Sequence, residues 1–419
     1  MNAIITSALP KGEIKAIASK SMAHRLLICA AFADKESSIR CENVNNDILA
    51  TVNCLCALGA EINYVDKSFL VKPISLFTND AILNCNESGS TLRFLIPVVC
   101  AVCDKTSFMM SGRLPDRPLS PLREELEAHG IKFEYLQHDI LTVSGRLECG
   151  DYTINGEVSS QFISGLLFAL SFLDGRSTLT ITGKIESAPY IEMTLDALKA
   201  FGASVFVNKN VYTVVGSNLR SNGVLSVEGD WSNAAFPLCA AALGGNIKLD
   251  NLNLASRQGD MEILDILTRF GAEIIKENDF VIVERRNLKA IELDASQIPD
   301  LVPVIATVAS VAEGTTKIYG ASRLRIKESD RLVSTRTMLN ELGADVDETD
   351  DGLIIRGRSR LSGGTVSSFN DHRIAMSAAV ASVVCDNSVT IKDAEAVNKS
   401  YPDFWEDIKK LGFDVSFDE

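Results

Sequence analysis

The sequence predicts an α/β protein of two domains, each with three buried helices inside and sheets outside. Two observations carry this. A helix–Gly–strand pattern recurs six times along the 419 residues, and each copy is accompanied by a second helix that is apolar nearly all round. A chain of this length exceeds what one hydrophobic core serves.

The recurring pattern occupies Ile48–Ile62, Leu122–Phe133, Met193–Val205, Met261–Ile274, Leu332–Val346 and Trp405–Val415. In each copy apolar residues fall at helical spacing, and a glycine supplies a left-handed C-cap before a strand. The glycines are Gly59, Gly130, Gly202, Gly271, Gly343 and Gly412, spaced 71, 72, 69, 72 and 69 residues apart. A near-constant period marks a structural repeat. The companion helices are Ser21–Ala33, Ser90–Cys103, Ser160–Leu173, Ser232–Leu243, Asp300–Ala312 and Asp371–Val384. A helix hydrophobic on every side is a buried one. Six units of about 70 residues divide into two domains of three, with the boundary near Val224–Asp230.

Each companion helix opens on Ser or Asp, residues that cap exposed backbone N–H groups, and the start of a buried helix favours anions. Basic residues sit at these starts, where the helix dipole opposes them: Lys20 and Arg25 at the first, Arg373 at the sixth. An anion between them resolves the conflict. The run Arg323-Leu-Arg-Ile-Lys327 alternates charged and apolar residues. It reads as a strand aiming Arg323, Arg325 and Lys327 to one face, ahead of Glu328-Ser-Asp-Arg331. A proline-stiffened loop, Leu114–Pro121, carries Arg117.

Bulk properties exclude several classes. Net charge is −14, which opposes a general nucleic-acid surface. A ring-shaped DNA clamp is acidic and pseudo-six-fold too, but its inner helices present Lys and Arg to phosphates, whereas these are apolar. The N-terminus shows no basic segment followed by an apolar run, so no signal peptide is expected. The longest apolar run, Phe94–Cys103, is about half of what spans a bilayer. The ten cysteines lie mostly in apolar runs, as reduced core cysteines do; Cys100 and Cys103 form a C-x-x-C with no second pair or His nearby, which reads as core packing. No metal or organic-cofactor motif is visible.

Nine strings then match a known family in order and spacing: Ser19–Arg25, Ser88–Arg93, Asp116–Pro118, Ser159–Phe162, Ser187–Tyr190, Pro299–Asp300, Lys327–Arg331, Asn370–Arg373 and Lys399–Pro402. The whole chain resembles the enolpyruvyl transferases, in the branch that acts on phosphorylated shikimate. The resemblance implies the two-domain fold of that family, an inside-out α/β barrel of six βαβαββ-type repeats. It places residues 1–12 with 227–419 in one domain and 13–226 in the other. It implies transfer of the enolpyruvyl group of phosphoenolpyruvate to the 5-hydroxyl of 3-phosphoshikimate by addition and elimination, in the cytoplasm, by a monomer without cofactor, metal, membrane or nucleic-acid partner.

Site roles follow from the same resemblance. Lys20, Gly89, Arg117, Gln161, Arg331, Arg373 and Lys399 look like the phosphoenolpyruvate set; guanidinium forks suit its phosphate and carboxylate. Lys20, Ser21, Arg25, Ser159, Ser160, Gln161, Ser187, Tyr190, Asp300 and Lys327 look like the phosphoshikimate set. Asp300 resembles the residue that takes the hydroxyl proton, and Glu328 and Lys20 resemble the pair handling the proton at the methylene carbon. His372 reads as a structural residue at a helix start. Glu87 stands where many members have Asn, and Arg323 where an Asn often contacts phosphoshikimate. The sister enzyme, which uses UDP-N-acetylglucosamine, typically carries a catalytic Cys in a loop; Gly112–Arg117 has none.

Overall fold

The computed structural model describes residues 1–216 and 218–418. Among the described residues twelve α-helices alternate in kind: α1 (Lys20–Ala31), α2 (Asn46–Leu58), α3 (Gly89–Val102), α4 (Leu122–Ala128), α5 (Ser160–Phe172), α6 (Ala188–Ala200), α7 (Trp231–Gly244), α8 (Ile263–Phe270), α9 (Val302–Ala309), α10 (Arg331–Glu341), α11 (His372–Ala381) and α12 (Phe404–Lys410). The odd-numbered helices are the apolar ones and lie almost wholly buried; in α7 every residue from Trp231 to Leu243 is inside. The even-numbered helices bury one face. The cap glycines behave as their spacing predicts. At Gly59 φ is +118°, and a Cβ there would meet the Leu76 carbonyl oxygen at 2.6 Å. The other five also have positive φ.

The chain divides into two compact units, Ala18–Val227 and Met1–Ile17 with Glu228–Glu419. Each contains three four-stranded sheets, and each sheet has one parallel pair followed by two antiparallel pairings. In the middle sheet of Ala18–Val227, Ala81–Asn84 runs through buried α3 to its parallel neighbour Lys105–Met109. Helix α4 then leads to the hairpin Lys132–Gln137 and Ile140–Ser144. This is a βαβαββ unit. No sheet closes on itself among the described residues, so helices rather than a strand ring form the centre of each unit.

Strands distant in sequence complete three of the sheets. Val224–Ser226 supplies the parallel edge beside Ser37–Arg40. Lys11–Lys15 does the same beside Asn246–Asp250, and Asn2–Ala8 inserts between Val389–Lys392 and Phe413–Asp418. The segment joined to the second unit therefore extends past residue 12, because Lys11–Lys15 is itself one of its strands.

Two sequence expectations change. Residues 322–326 form a 3-10 turn, not a strand: a five-residue alternation is too short to separate the two periods, and Arg323 and Arg325 turn to backbone carbonyls of Ser296, Thr349 and Asp350. The caps of four buried helices lie upstream of the expected residues, at Ser19, Ser88, Ser159 and Asp230. That places Ser21, Ser90, Ser160 and Ser232 inside the first turn. Cys100 and Cys103 are buried, and burial pushes both thiols up. No helix among the described residues is long and apolar enough to cross a membrane.

Candidate active site

In Ala18–Val227 the first turns of the buried helices hold cations among mostly neutral oxygen atoms. Lys20 opens α1 and pairs with Asp47 of α2 at 2.8 Å, both largely buried. Arg25, one turn further, is 2% exposed. It donates to the Ser21 carbonyl at 2.6 Å, the Tyr190 carbonyl at 2.8 Å and the Thr194 hydroxyl at 2.9 Å. Burial lowers its pKa to about 10. Ser21 and Tyr190 thus sit against Arg25, joining α1 to α6. Ser187, just before α6, is buried with φ of +54°, a conformation few non-glycine residues adopt.

Helices α3 and α5 meet through Gln161. Its Nε2 donates to Ser90 Oγ at 2.9 Å and its Oε1 accepts from Arg93 at 2.8 Å. Ser159 caps α5 by accepting from the Gln161 N–H, and Ser160 is buried in the first turn. The close approach depends on Gly165, where a Cβ would meet the Arg93 carbonyl oxygen at 2.4 Å. Arg117, on the proline-stiffened loop, lies over Gly89: a Cβ at Gly89 would be 2.7 Å from its Nη1. Glu87 reaches the same loop and packs against Gly112. His24 is fully buried and joins a hydroxyl chain, His24–Thr51–Thr91–Ser88, each link 2.7 Å. Burial holds its pKa at about 3.

The second unit assembles a different kind of cluster. Asp300, on the 3-10 turn before α9, caps no helix; its carboxylate is held by Arg331 at 2.9 Å, Arg373 at 3.1 Å and Lys327 at 3.6 Å. Burial opposes ionisation, but Arg373, Lys327 and Arg331 outweigh it and hold the carboxyl well below the usual range. Arg331 is almost wholly buried and also binds Glu328 at 2.7 Å and Asp371 at 2.8 Å. Lys399 lies 4.0 Å from Glu328. Arg373 reaches the Asp300 carbonyl and the Ser232 hydroxyl as well.

Within this unit Asp300, Lys327, Glu328, Arg331, Arg373 and Lys399 come together. Within the other, Lys20 with Asp47, Arg25 with Ser21 and Tyr190, Gln161 with Ser90, and Gly89 with Arg117 form the corresponding group. Sequence reasoning missed the residues that hold these side chains. Asp371 reads as a helix cap and is one, accepting from the Arg373 N–H at 3.0 Å, yet it also grips Arg331 and accepts from Ser329. Asp47 and Arg93 were likewise given no role. A buried acidic residue at a helix start beside a motif arginine was the available signal. His372 is buried beside Asp371 in the first turn of α11. Among the described residues no three His, Cys, Asp or Glu side chains cluster as a metal would require.

Comparison with known proteins adds an independent line. The family described as EPSP synthase (3-phosphoshikimate 1-carboxyvinyltransferase) matches residues 6–408. A 3-phosphoshikimate 1-carboxyvinyltransferase of Clostridium acetobutylicum is 45% identical over 412 residues, covering 97% of this chain and 96% of its own. One of Clostridium novyi is 42% identical over 422 residues, with 98% and 97% covered. Among solved structures, an EPSP synthase from Acinetobacter baumannii aligns with a TM-score of 0.84 at 25% identity, covering 99% of this chain and 100% of that one.

Proposed function

The chain belongs to the EPSP synthase (3-phosphoshikimate 1-carboxyvinyltransferase) family, and from that premise we propose how its residues divide the reaction. The protein transfers the enolpyruvyl group of phosphoenolpyruvate to 3-phosphoshikimate, a step of the shikimate pathway. Lys20, Gly89, Arg117, Gln161, Arg331, Arg373 and Lys399 serve phosphoenolpyruvate. Lys20, Ser21, Arg25, Ser159, Ser160, Gln161, Ser187, Tyr190, Asp300 and Lys327 serve 3-phosphoshikimate.

In the addition step the 5-hydroxyl oxygen attacks C2 of phosphoenolpyruvate, Asp300 takes the hydroxyl proton, and the methylene carbon gains a proton from the pair Glu328 and Lys20. A tetrahedral phospho-ketal results. In the elimination step the new methyl group gives a proton back, the C–O bond to phosphate breaks, and inorganic phosphate leaves with 5-enolpyruvylshikimate 3-phosphate. The same groups exchange acid and base roles between the steps.

The observation that carries this division is the grip of Arg331, Arg373 and Lys327 on the Asp300 carboxylate. While those cations are engaged, Asp300 is ionised and a weak base. An anionic substrate that takes guanidinium donors for its own phosphate or carboxylate withdraws positive charge from Asp300, and its basicity rises. Substrate binding thereby switches on the base.

Phosphate release tests the reading, with phosphoenolpyruvate and shikimate 3-phosphate beside a UDP-N-acetylglucosamine control. Release that requires shikimate 3-phosphate and collapses in Lys20→Ala and Asp300→Ala is expected; full activity in both variants sinks the assignment. The same reading has the chain acting as a cytoplasmic monomer on dissolved substrates. Ten free cysteines, eight of them buried, support a reducing compartment. A sedimentation mass of twice the chain mass would count against the monomer.

A further inference from the structure

The roles assigned above give no part to the buried carboxyl of Asp260. Asp260 lies on the 3-10 turn Gly259–Glu262 ahead of α8 and is 2% exposed. Its neighbour Gln258 clamps this turn onto the start of α7. Gln258 Oε1 accepts from the Trp231 N–H at 3.1 Å, and Nε2 donates to Glu228 and to the Gly229 carbonyl, each at 2.8 Å. The clamp sets the buried Asp260 carboxyl beside the Ser232 hydroxyl. The Ser232 hydroxyl in turn accepts from Arg373 Nη2 at 2.7 Å, and that nitrogen reaches Asp300 Oδ2 at 3.1 Å. Asp260, Ser232, Arg373 and Asp300 therefore form a chain.

The polarity of that chain is determined. An ionised carboxylate only accepts, so Ser232 donates its one hydrogen to Asp260 and offers its lone pairs to Arg373. The Ser232 hydroxyl thereby fixes the same guanidinium nitrogen that reaches Asp300. We propose that Asp260 is a positioning residue for the reaction, which fixes the Arg373 guanidinium, and with it the Asp300 carboxylate, through the Ser232 hydroxyl. This rests on the roles proposed above for Arg373 and Asp300.

A bland account exists: Asp260 merely ties its turn to α7. The two accounts separate by pH. The charged groups facing Asp260 are Asp300 from the turn before α9, Arg373 from α11 and Asp230 from the cap of α7. Burial and the Asp300 charge outweigh Arg373 and the Ser232 hydrogen bond, and push Asp260 up to about 6. Below that pH the carboxyl holds a proton and can donate, the order of the chain is lost, and Arg373 is held less well.

The test is steady-state kinetics of the full chain from pH 5 to 8, with thermal unfolding as a check on the fold. In the natural protein kcat/KM for phosphoenolpyruvate falls on the acid side with an inflection near pH 6. Asp260→Asn, which keeps the shape and cannot ionise, raises KM for phosphoenolpyruvate roughly tenfold and abolishes that inflection. Asp260→Glu restores it. Ser232→Ala, which cuts the chain at its middle, raises KM similarly and decides the matter if Asp260→Asn does not fold. A folded Asp260→Asn with unchanged KM and an unchanged inflection overturns the proposal. So does a loss of stability in Asp260→Asn with Ser232→Ala behaving as the natural protein. Full phosphate release by Asp300→Ala would instead overturn the reaction reading on which the proposal stands.

Discussion

In Ala18–Val227 the buried Arg25 donates to two carbonyls and a hydroxyl, and Arg93 to a glutamine oxygen and a carbonyl. In the second unit the buried Arg331 is wrapped by three carboxylates, Asp300, Glu328 and Asp371. The same side chain is tuned in opposite directions: burial lowers Arg25 to about 10, while Asp371, Glu328 and Asp300 overcome burial and raise Arg331 well above its ordinary value. Neutral partners satisfy a guanidinium's hydrogens without cancelling its charge, so Arg25 stays a full positive charge. Carboxylate partners cancel the charge and are themselves tuned, which suits proton transfer. On the roles proposed above, one unit chiefly attracts and the other chiefly exchanges protons.

Breaking the second cluster has the largest expected effect. Asp300→Ala lowers kcat by about 10³-fold or more, as expected for removing a general base, read as phosphate release. Arg331→Met leaves Asp371 buried without its guanidinium, so unfolding in urea is expected to show a loss of about 3–5 kcal/mol. Arg25→Met sharpens the contrast. It removes a buried charge that no carboxylate compensates, so stability changes by about 1 kcal/mol or less, because an apolar side chain replaces a poorly solvated ion. The KM for shikimate 3-phosphate, however, rises roughly 100-fold through loss of a charge-assisted contact. A large loss of stability in this variant would break the comparison.

Gly89→Ala has a smaller effect. The added methyl displaces the end of the flexible Arg117 side chain, so KM for phosphoenolpyruvate rises roughly tenfold through a weakened charge-assisted contact, while thermal stability is unchanged. An effect absent at neutral pH concerns His24, whose folded value is near 3 against 6.5 for a free imidazole. Between those values the unfolded chain binds the extra proton. The His24 contribution is therefore fully present above pH 6.5 and is lost as pH falls towards 3, by up to about 1.4 kcal/mol per pH unit. His24→Gln is expected to flatten the pH dependence of unfolding across that window.

Much of this is legible in the sequence. The glycine period marks the repeats because the left-handed C-cap is a local requirement that each copy must meet. The apolar-all-round helices announce burial for the same kind of reason. The motif strings brought Asp300, Lys327, Glu328, Arg331, Arg373 and Lys399 to notice. What they gave no role to was the support: Asp371, Asp47, Arg93 and Asp260. The first two read locally as ordinary residues of a helix start, and Asp371 in fact does both jobs. The alternation of Arg323 to Lys327 misled because a five-residue run fits a strand and a 3-10 turn alike.

The sequence by itself determined six units, two groups of three, and the residue types able to bind anions and move a proton. Those signals depend on neighbours within a turn or two of helix, or within one strand. The tertiary structure alone decided which carboxylate faces which guanidinium, that Ser232 bridges Asp260 to Arg373, and that Asn2–Ala8 fills a place between Val389–Lys392 and Phe413–Asp418. Arg331 meets Asp300 across 31 residues of sequence, and Arg373 meets it across 73. Pairings at such separations follow from how buried helices pack, and no local preference encodes them.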